Sequence, residues 1–123
     1  KCKGYDQLML ISDSCPFAGA ANGQKFSMLG CDVMIEDGVC KLADRSAFAG
    51  SVICGLGLVQ TVCQKFQIPI WAAFRMATKN PAHYMGWEGK KGELVVGADA
   101  DLLLFNDKFE LQHVYLNGRE IKE

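Results

Sequence analysis

The order of apolar and polar positions divides this chain into segments of different period. Gln7-Leu8-Met9-Leu10-Ile11-Ser12 is a continuous apolar run. It predicts a strand covered on both faces, as in a parallel sheet or barrel. The run stops at Ser12-Asp13-Ser14, with Pro16 and Gly19 close behind, so a carboxylate stands where strand gives way to loop. Between Phe26 and Leu42 the reading changes. Cys31–Glu36 and Val39–Leu42 flank Asp37-Gly38. Asp-Gly between two strand-like runs predicts a β-hairpin, because both central turn residues need positive φ.

The helical period takes over at Ser51. Val52, Leu56, Val59, Cys63 and Phe66 recur at alternating spacings of four and three, which predicts a helix over 51–66 with one apolar face. Ser51 is the expected N-cap, while Gly55 and Gly57 weaken the first turns. A second helix is expected from Pro69, with Ile70, Ala73, Phe74 and Ala77 as its face. Asn80-Pro81 reads as the cap and first residue of a short helix that Gly86 ends. Beyond it, Glu93–Val96, Asp101–Phe105 and Gln112–Leu116 are predicted strands, and Asn117-Gly118 turns the last into Arg119-Glu120-Ile121. No internal repeat, low-complexity stretch or linker interrupts the pattern.

Composition narrows the function classes. A length of 123 residues suits one small domain or a piece of a larger one. With 50% hydrophobic and 22% charged residues the chain is expected to fold, not to stay disordered. A formal net charge of −1 gives no basic excess for nucleic acid or an anionic membrane, so neither is an expected partner. No apolar run is long enough to span a bilayer, and the amino terminus does not read as a secretory signal. Cys2, Cys15, Cys31, Cys40, Cys54 and Cys63 form no Cys-x-x-Cys pair. Most of them read as buried free thiols, and six unpaired thiols suit a reducing cytoplasm. His83 and His113 lie too far apart for a metal-ligand spacing.

The candidate chemistry is thin: no Gly-rich phosphate loop, no Ser/His/Asp set and no ligand cluster is present. Asp13 stands out because polar residues at the carboxyl ends of barrel strands tend to be functional. Spacing alone favours the plainer alternative, in which Asp13 caps its loop through the amides of Ser14 or Cys15.

A family resemblance adds to this reading. Leu10-Ile11-Ser12-Asp13-Ser14-Cys15-Pro16-Phe17-Ala18-Gly19 resembles the eighth-strand motif of N-acetylglucosamine-6-phosphate deacetylases, of the amidohydrolase superfamily. The likeness continues through Gly30, Ile35 to Asp44, Ala49-Gly50-Ser51, and Arg75 to Ala82. Lys91 to Leu102 is similar to the tail found across amidohydrolases, whose Gly-Ala-Asp-Ala-Asp-Leu marks only the superfamily and reads as a tight turn feeding a strand. The resemblance implies an α/β fold: the carboxy-terminal part of a metal-dependent (β/α)8 barrel plus strands of a small β-sandwich domain. Residues 1–90 would hold the last barrel strand, a β-hairpin insertion and the following helices, and 91–123 the strands of the small domain. A full barrel takes about 250 residues, so this chain is too short to contain one.

The resemblance also implies the activity, hydrolysis of the acetamide of N-acetylglucosamine 6-phosphate. Asp13 would be the catalytic proton carrier, general base first and general acid toward the leaving amine second. Phe48, Ala49 and Gly50 would contact the sugar phosphate, with Gly50 allowing close approach to the backbone. The plain alternative makes these three a helix lead-in, with Phe48 in the core. A divalent metal, zinc or iron, is implied for the complete enzyme, with ligands outside this chain, as are a homodimer and a cytoplasmic location. Two departures stand out. Asp44-Arg45-Ser46-Ala47 occupies the place of the usual Asp-Gly-Thr, and Ser14 replaces a common alanine. Other readings are an aminoacylase or dihydroorotase relative, or a non-catalytic β-rich module.

Overall fold

The computed structural model describes residues 3–121, so Cys2 lies outside the described residues. Contacts group the chain into two compact units, Ile11–Leu58 and the remainder, which joins the stretch up to Leu10 to the chain from Val59 onward. Each unit has its own core.

In the unit Ile11–Leu58, four strands, β1 (Lys25–Met28), β2 (Cys31–Glu36), β3 (Val39–Leu42) and β4 (Phe48–Ser51), form an antiparallel sheet in that order. The hairpin β2–β3 has the bounds that the Asp-Gly signal predicts, with Asp37 at φ 56° and Gly38 at φ 73°. Its register pairs Ile35 with Cys40 and Val33 with Leu42. Directly paired residues share a face, so alternation sends Val33, Ile35 and Cys40 inward together, all at most 1% exposed. Phe17 and Phe26 stack beside them at 4.0 Å.

Strand β4 departs from the sequence expectation. Ser51 ends a strand and caps no helix: β4 pairs with β3, and helix α1 (Gly55–Phe66) begins four residues later. The Ser51 hydroxyl instead accepts the amide of Ile53 at 3.2 Å. Val52 accordingly packs in the core of this unit and not on a helix face.

In the second unit, Val59 and Val62 of α1 and Ala73 of α2 (Ile70–Ala77) form the core, with Leu10, Ile68 and Phe109 packed against it. The buried stripe of α1 runs through Val62, and the predicted face residue Phe66 is 69% exposed. Helix α2 starts at Ile70, one residue later than predicted, with Pro69 as its N-cap, and buries Ala72, Ala73 and Met76 while Ile70 stays exposed. Helix α3 (Lys79–Tyr84) begins before Asn80, so Asn80 is not its cap. Asn80 is buried, and its amide donates to the carbonyls of Tyr5 at 2.7 Å and Leu8 at 2.6 Å.

Strands β5 (Leu102–Phe105), β6 (Leu111–Leu116) and β7 (Arg119–Ile121) form an antiparallel sheet, with the predicted Asn117-Gly118 turn between the last two. The tail motif feeds this sheet as a pinned turn. Lys91 bonds Asp101 at 2.5 Å and Asp99 at 3.0 Å, and Asp101 accepts the amide of Asn117 at 2.9 Å. Glu93–Val96 is not the predicted strand. It turns, with Ala98 N–H donating to Val95 O at 3.1 Å, and Leu94 and Val96 are exposed.

The largest difference concerns residues 7–12, which form no strand. Tyr5–Gln7 is a 3-10 turn, and the chain then runs extended. Among the described residues no strand pairs with 8–12, and Ile11 is 79% exposed. The run is held by the Asn80 amide and by Leu10 N–H to Met76 O at 3.0 Å. A doubly covered strand needs neighbours on both edges; the described residues supply none here, so the expected ladder is not made.

Candidate active site

Asp13 and the segment 48–50 meet within the unit Ile11–Leu58. The link is a short parallel pairing of the chain after Asp13 with the end of β4. Asp13 carbonyl accepts Ser51 N–H at 2.8 Å, Cys15 N–H donates to Ser51 O at 2.8 Å, and Gly19 N–H donates to Val52 O at 3.2 Å. Ser14 and Ser51 form the bridge between them.

Gly50 explains how the two backbones come this close. Its φ is 99°, and a Cβ there would lie 3.0 Å from the Asp13 carbonyl oxygen and 3.2 Å from Cys15 Cβ. Only glycine takes this conformation without strain and leaves that room. The space beside Gly50 is therefore filled by the Asp13–Cys15 backbone. Asp13 itself is left-handed, with φ 47°, an uncommon state for a residue with a side chain. Its side chain is exposed.

Ala49 packs on the core beside Cys15 and Cys40, whereas Phe48 is 75% exposed. Phe48 is thus not the core side chain of the plainer alternative, and 48–50 is a strand, not a helix lead-in. Burial pushes the Cys40 thiol pKa up, and its hydrogen bond with Cys15 adds to that shift. Both thiols are buried and free, which suits packing and not nucleophilic chemistry.

The loop from β3 to β4 carries the strongest electrostatics in this unit. Glu36 Oε1 accepts from Arg45 Nη2 at 3.0 Å, and Oε2 accepts from Arg45 Nε at 3.2 Å and Lys41 Nζ at 3.1 Å. Arg45 first and Lys41 second hold the Glu36 carboxyl at about 2, well below its usual value. Lys41 is shifted up, first by its bond to Asp37 and then by its bond to Glu36. Asp44 is held low by the Ser46 hydroxyl and amide, at 2.6 and 2.9 Å. Sequence reasoning noted Arg45 only as a departure from the family pattern and missed Glu36. The available signal was the hairpin register, which sets Glu36 diagonal to Lys41.

The described residues do not by themselves fit a metal centre. Among them, no three His, Cys, Asp or Glu side chains gather to hold an ion. His83 faces Glu88, and His113 faces Glu120 at 2.6 Å. No helix of the described residues is long and apolar enough to cross a membrane.

Comparison with known proteins agrees with this architecture. The model of the amidohydrolase family matches residues 6–121. The N-acetylglucosamine-6-phosphate deacetylase of Haemophilus influenzae is 28% identical over 120 residues, 97% of this chain and 31% of that protein. The enzyme of that name from Rattus norvegicus is 30% identical over 112 residues, 90% of this chain and 27% of that protein. The crystal structure of N-acetylglucosamine-6-phosphate deacetylase from Pasteurella multocida superposes with a TM-score of 0.86 at 28% identity, covering 96% of this chain and 31% of that one. The chain thus spans about three tenths of the length of the relatives it matches. Asp13, the glycine that lets β4 lie against it, and the hairpin beside them all fall within the matched residues, and the chain belongs to the amidohydrolase family.

Proposed function

We propose that this chain is the carboxy-terminal part of a metal-dependent deacetylase that hydrolyses N-acetylglucosamine 6-phosphate to glucosamine 6-phosphate and acetate. Residues 7–12 would be the last strand of its barrel, residues up to 90 would complete that barrel, and 91–123 would belong to its small β domain. The observation that carries the reading is the backbone contact of Asp13 with Gly50 and Ser51, which sets an exposed aspartate residue beside the proposed sugar-phosphate segment.

Asp13 takes a proton from the attacking water as the C–O bond forms. It returns that proton to the nitrogen as the C–N bond breaks, so the amine leaves neutral. Phe48, Ala49 and Gly50 hold the phosphorylated sugar, with the exposed Phe48 ring offering an apolar face to it. A divalent metal, zinc or iron, would supply Lewis-acid activation of the amide in the complete enzyme; in this reading its ligands would lie outside this chain. The complete enzyme is a cytoplasmic homodimer in this reading.

The test is Asp13→Asn in the complete enzyme, assayed for acetate release. A loss of roughly 10²- to 10⁴-fold in kcat is expected, the range of general acid–base catalysis. Metal content should stay unchanged. Near-normal kcat would remove Asp13 from the chemistry.

A further inference from the structure

We infer that Glu36 is a positioning residue that sets the sugar-phosphate segment Phe48–Gly50 through Arg45, an inference that rests on the proposed role of that segment. The loop 43–47 is the only covalent link from β3 to β4 and is tightly closed. Leu42 N–H donates to Ala47 O at 2.9 Å, Arg45 N–H to Leu42 O at 2.8 Å, and Ala43 N–H to Asp32 O at 2.8 Å. Arg45 stands in this loop at φ 60°, a left-handed conformation that disfavours side-chain-bearing residues. The backbone bonds close the turn, and the two-pronged bond to Glu36 fixes where the Arg45 side chain lies. Such paired bonds fix orientation as well as adding energy.

Glu36 also reaches the other side of the ladder. Its second cation, Lys41, pairs directly with Phe48 across β3 and β4. One carboxylate therefore fixes both the loop that precedes Phe48 and the residue opposite it. Neither Glu36 nor Arg45 is placed in contact with substrate, so the effect belongs to binding and not to the proton transfer.

The experiment uses the complete enzyme with Glu36→Gln, Arg45→Ala and the double variant, and reads steady-state kinetics together with hydrogen exchange of the amides of 46–50. Glu36→Gln keeps the size and removes the charge. It should raise KM for N-acetylglucosamine 6-phosphate about two- to fivefold, with kcat unchanged within error, the size expected of an exposed, screened ion pair. Exchange at 46–50 should speed up. Because Arg45 acts through Glu36, which also holds Lys41, the double variant should match Glu36→Gln and not multiply the two single effects. KM and exchange equal to the unaltered enzyme would overturn the proposal, as would multiplicative losses in the double variant. If the unaltered enzyme leaves this substrate intact, the functional reading falls by itself. Exchange then decides the positioning alone: faster exchange in the variants upholds it, and unchanged exchange overturns it.

Discussion

The hairpin β2–β3 and the run 8–12 are both rich in apolar residues, yet only the hairpin is buried. Val33, Ile35 and Cys40 are at most 1% exposed, while Ile11 is 79% exposed and Leu8 and Met9 are exposed as well. The difference lies in where each segment finds its partners. The hairpin pairs with residues only a few positions away, and β1 and β4 extend the same ladder. The run 8–12 has no such neighbour among the described residues. An apolar run thus does not by itself make a strand; the pairing decides whether it is covered.

The sharpest way to break this comparison is to truncate one isoleucine in each region. Ile35→Ala should cost about 2–5 kcal/mol, the usual range for a large side chain deleted from a closed core. Ile11→Ala in the isolated chain should stay within about 0.5 kcal/mol, as exposed substitutions do. If residues 7–12 are the last barrel strand of a larger enzyme, as proposed, Ile11→Ala in that enzyme should move into the core range. Denaturant unfolding of both variants in both contexts measures this. A neutral Ile11→Ala in the complete enzyme would show that 7–12 is not a barrel strand.

How much was legible follows the same division. Period two and Asp37-Gly38 gave β2 and β3 their bounds, and Pro69 and Asn117-Gly118 gave α2 its start and β6–β7 their turn. β4 was not legible. Phe48-Ala49-Gly50-Ser51 is short, with small residues and no alternation, and it is a strand because β3 and the chain after Asp13 pair with it. Asp13 and Gly50 were legible as positions, but their contact was not, since it joins residues 37 apart through backbone groups that carry no sequence signal. The Glu36–Arg45 pair was missed because a long side chain crossing two strands leaves no period.

Asn80 gives a second, smaller test on the weakly held segment. The hairpin is secured by a ladder, whereas residues 5–8 are tied to α3 by one buried amide. Asn80→Ala removes the donor to two carbonyls and should cost about 0.5–1.5 kcal/mol, the net worth of a part-buried hydrogen bond. Hydrogen exchange at Leu10 should rise while exchange at Ile35 stays put. Equal protection of Leu10 in the variant would mean that packing on Val59 and Val62 holds the segment without Asn80.

Two glycines sharpen the contrast between a position shaped by its neighbours and one that is not. Gly50→Ala meets Asp13 O at 3.0 Å in a left-handed backbone and should cost about 1–3 kcal/mol. Gly55, at the start of α1, has nothing within 4 Å of an added Cβ, and Gly55→Ala should add about 0.5–1 kcal/mol of stability. Thermal unfolding checks both signs. A harmless Gly50→Ala would mean that β4 and the Asp13 segment slide apart at little cost.

The smallest effect is the acid response of the hairpin. Glu36 has its carboxyl lowered from 4.5 to about 2 by Arg45 and then Lys41. A carboxyl depressed in the folded state binds its proton more readily when unfolded, so the unfolded chain takes up protons first as pH falls. The stability contributed by Glu36 is therefore fully present above about 4.5 and is lost as pH drops toward about 2. Asp44, Glu88 and Asp101 are shifted in the same direction, so the acid curve of the unaltered chain sums several groups. The difference between the unaltered chain and Glu36→Gln isolates one of them. That difference in Tm should be constant from neutral pH to about 5 and shrink between 4.5 and about 2. It should be modest throughout, because Arg45 is solvent-exposed and water screens such pairs. Added salt should shrink it further at neutral pH. A difference that grows on acidification would carry the wrong sign for a depressed carboxyl and would mean that the Arg45 and Lys41 bonds to Glu36 are not made in solution.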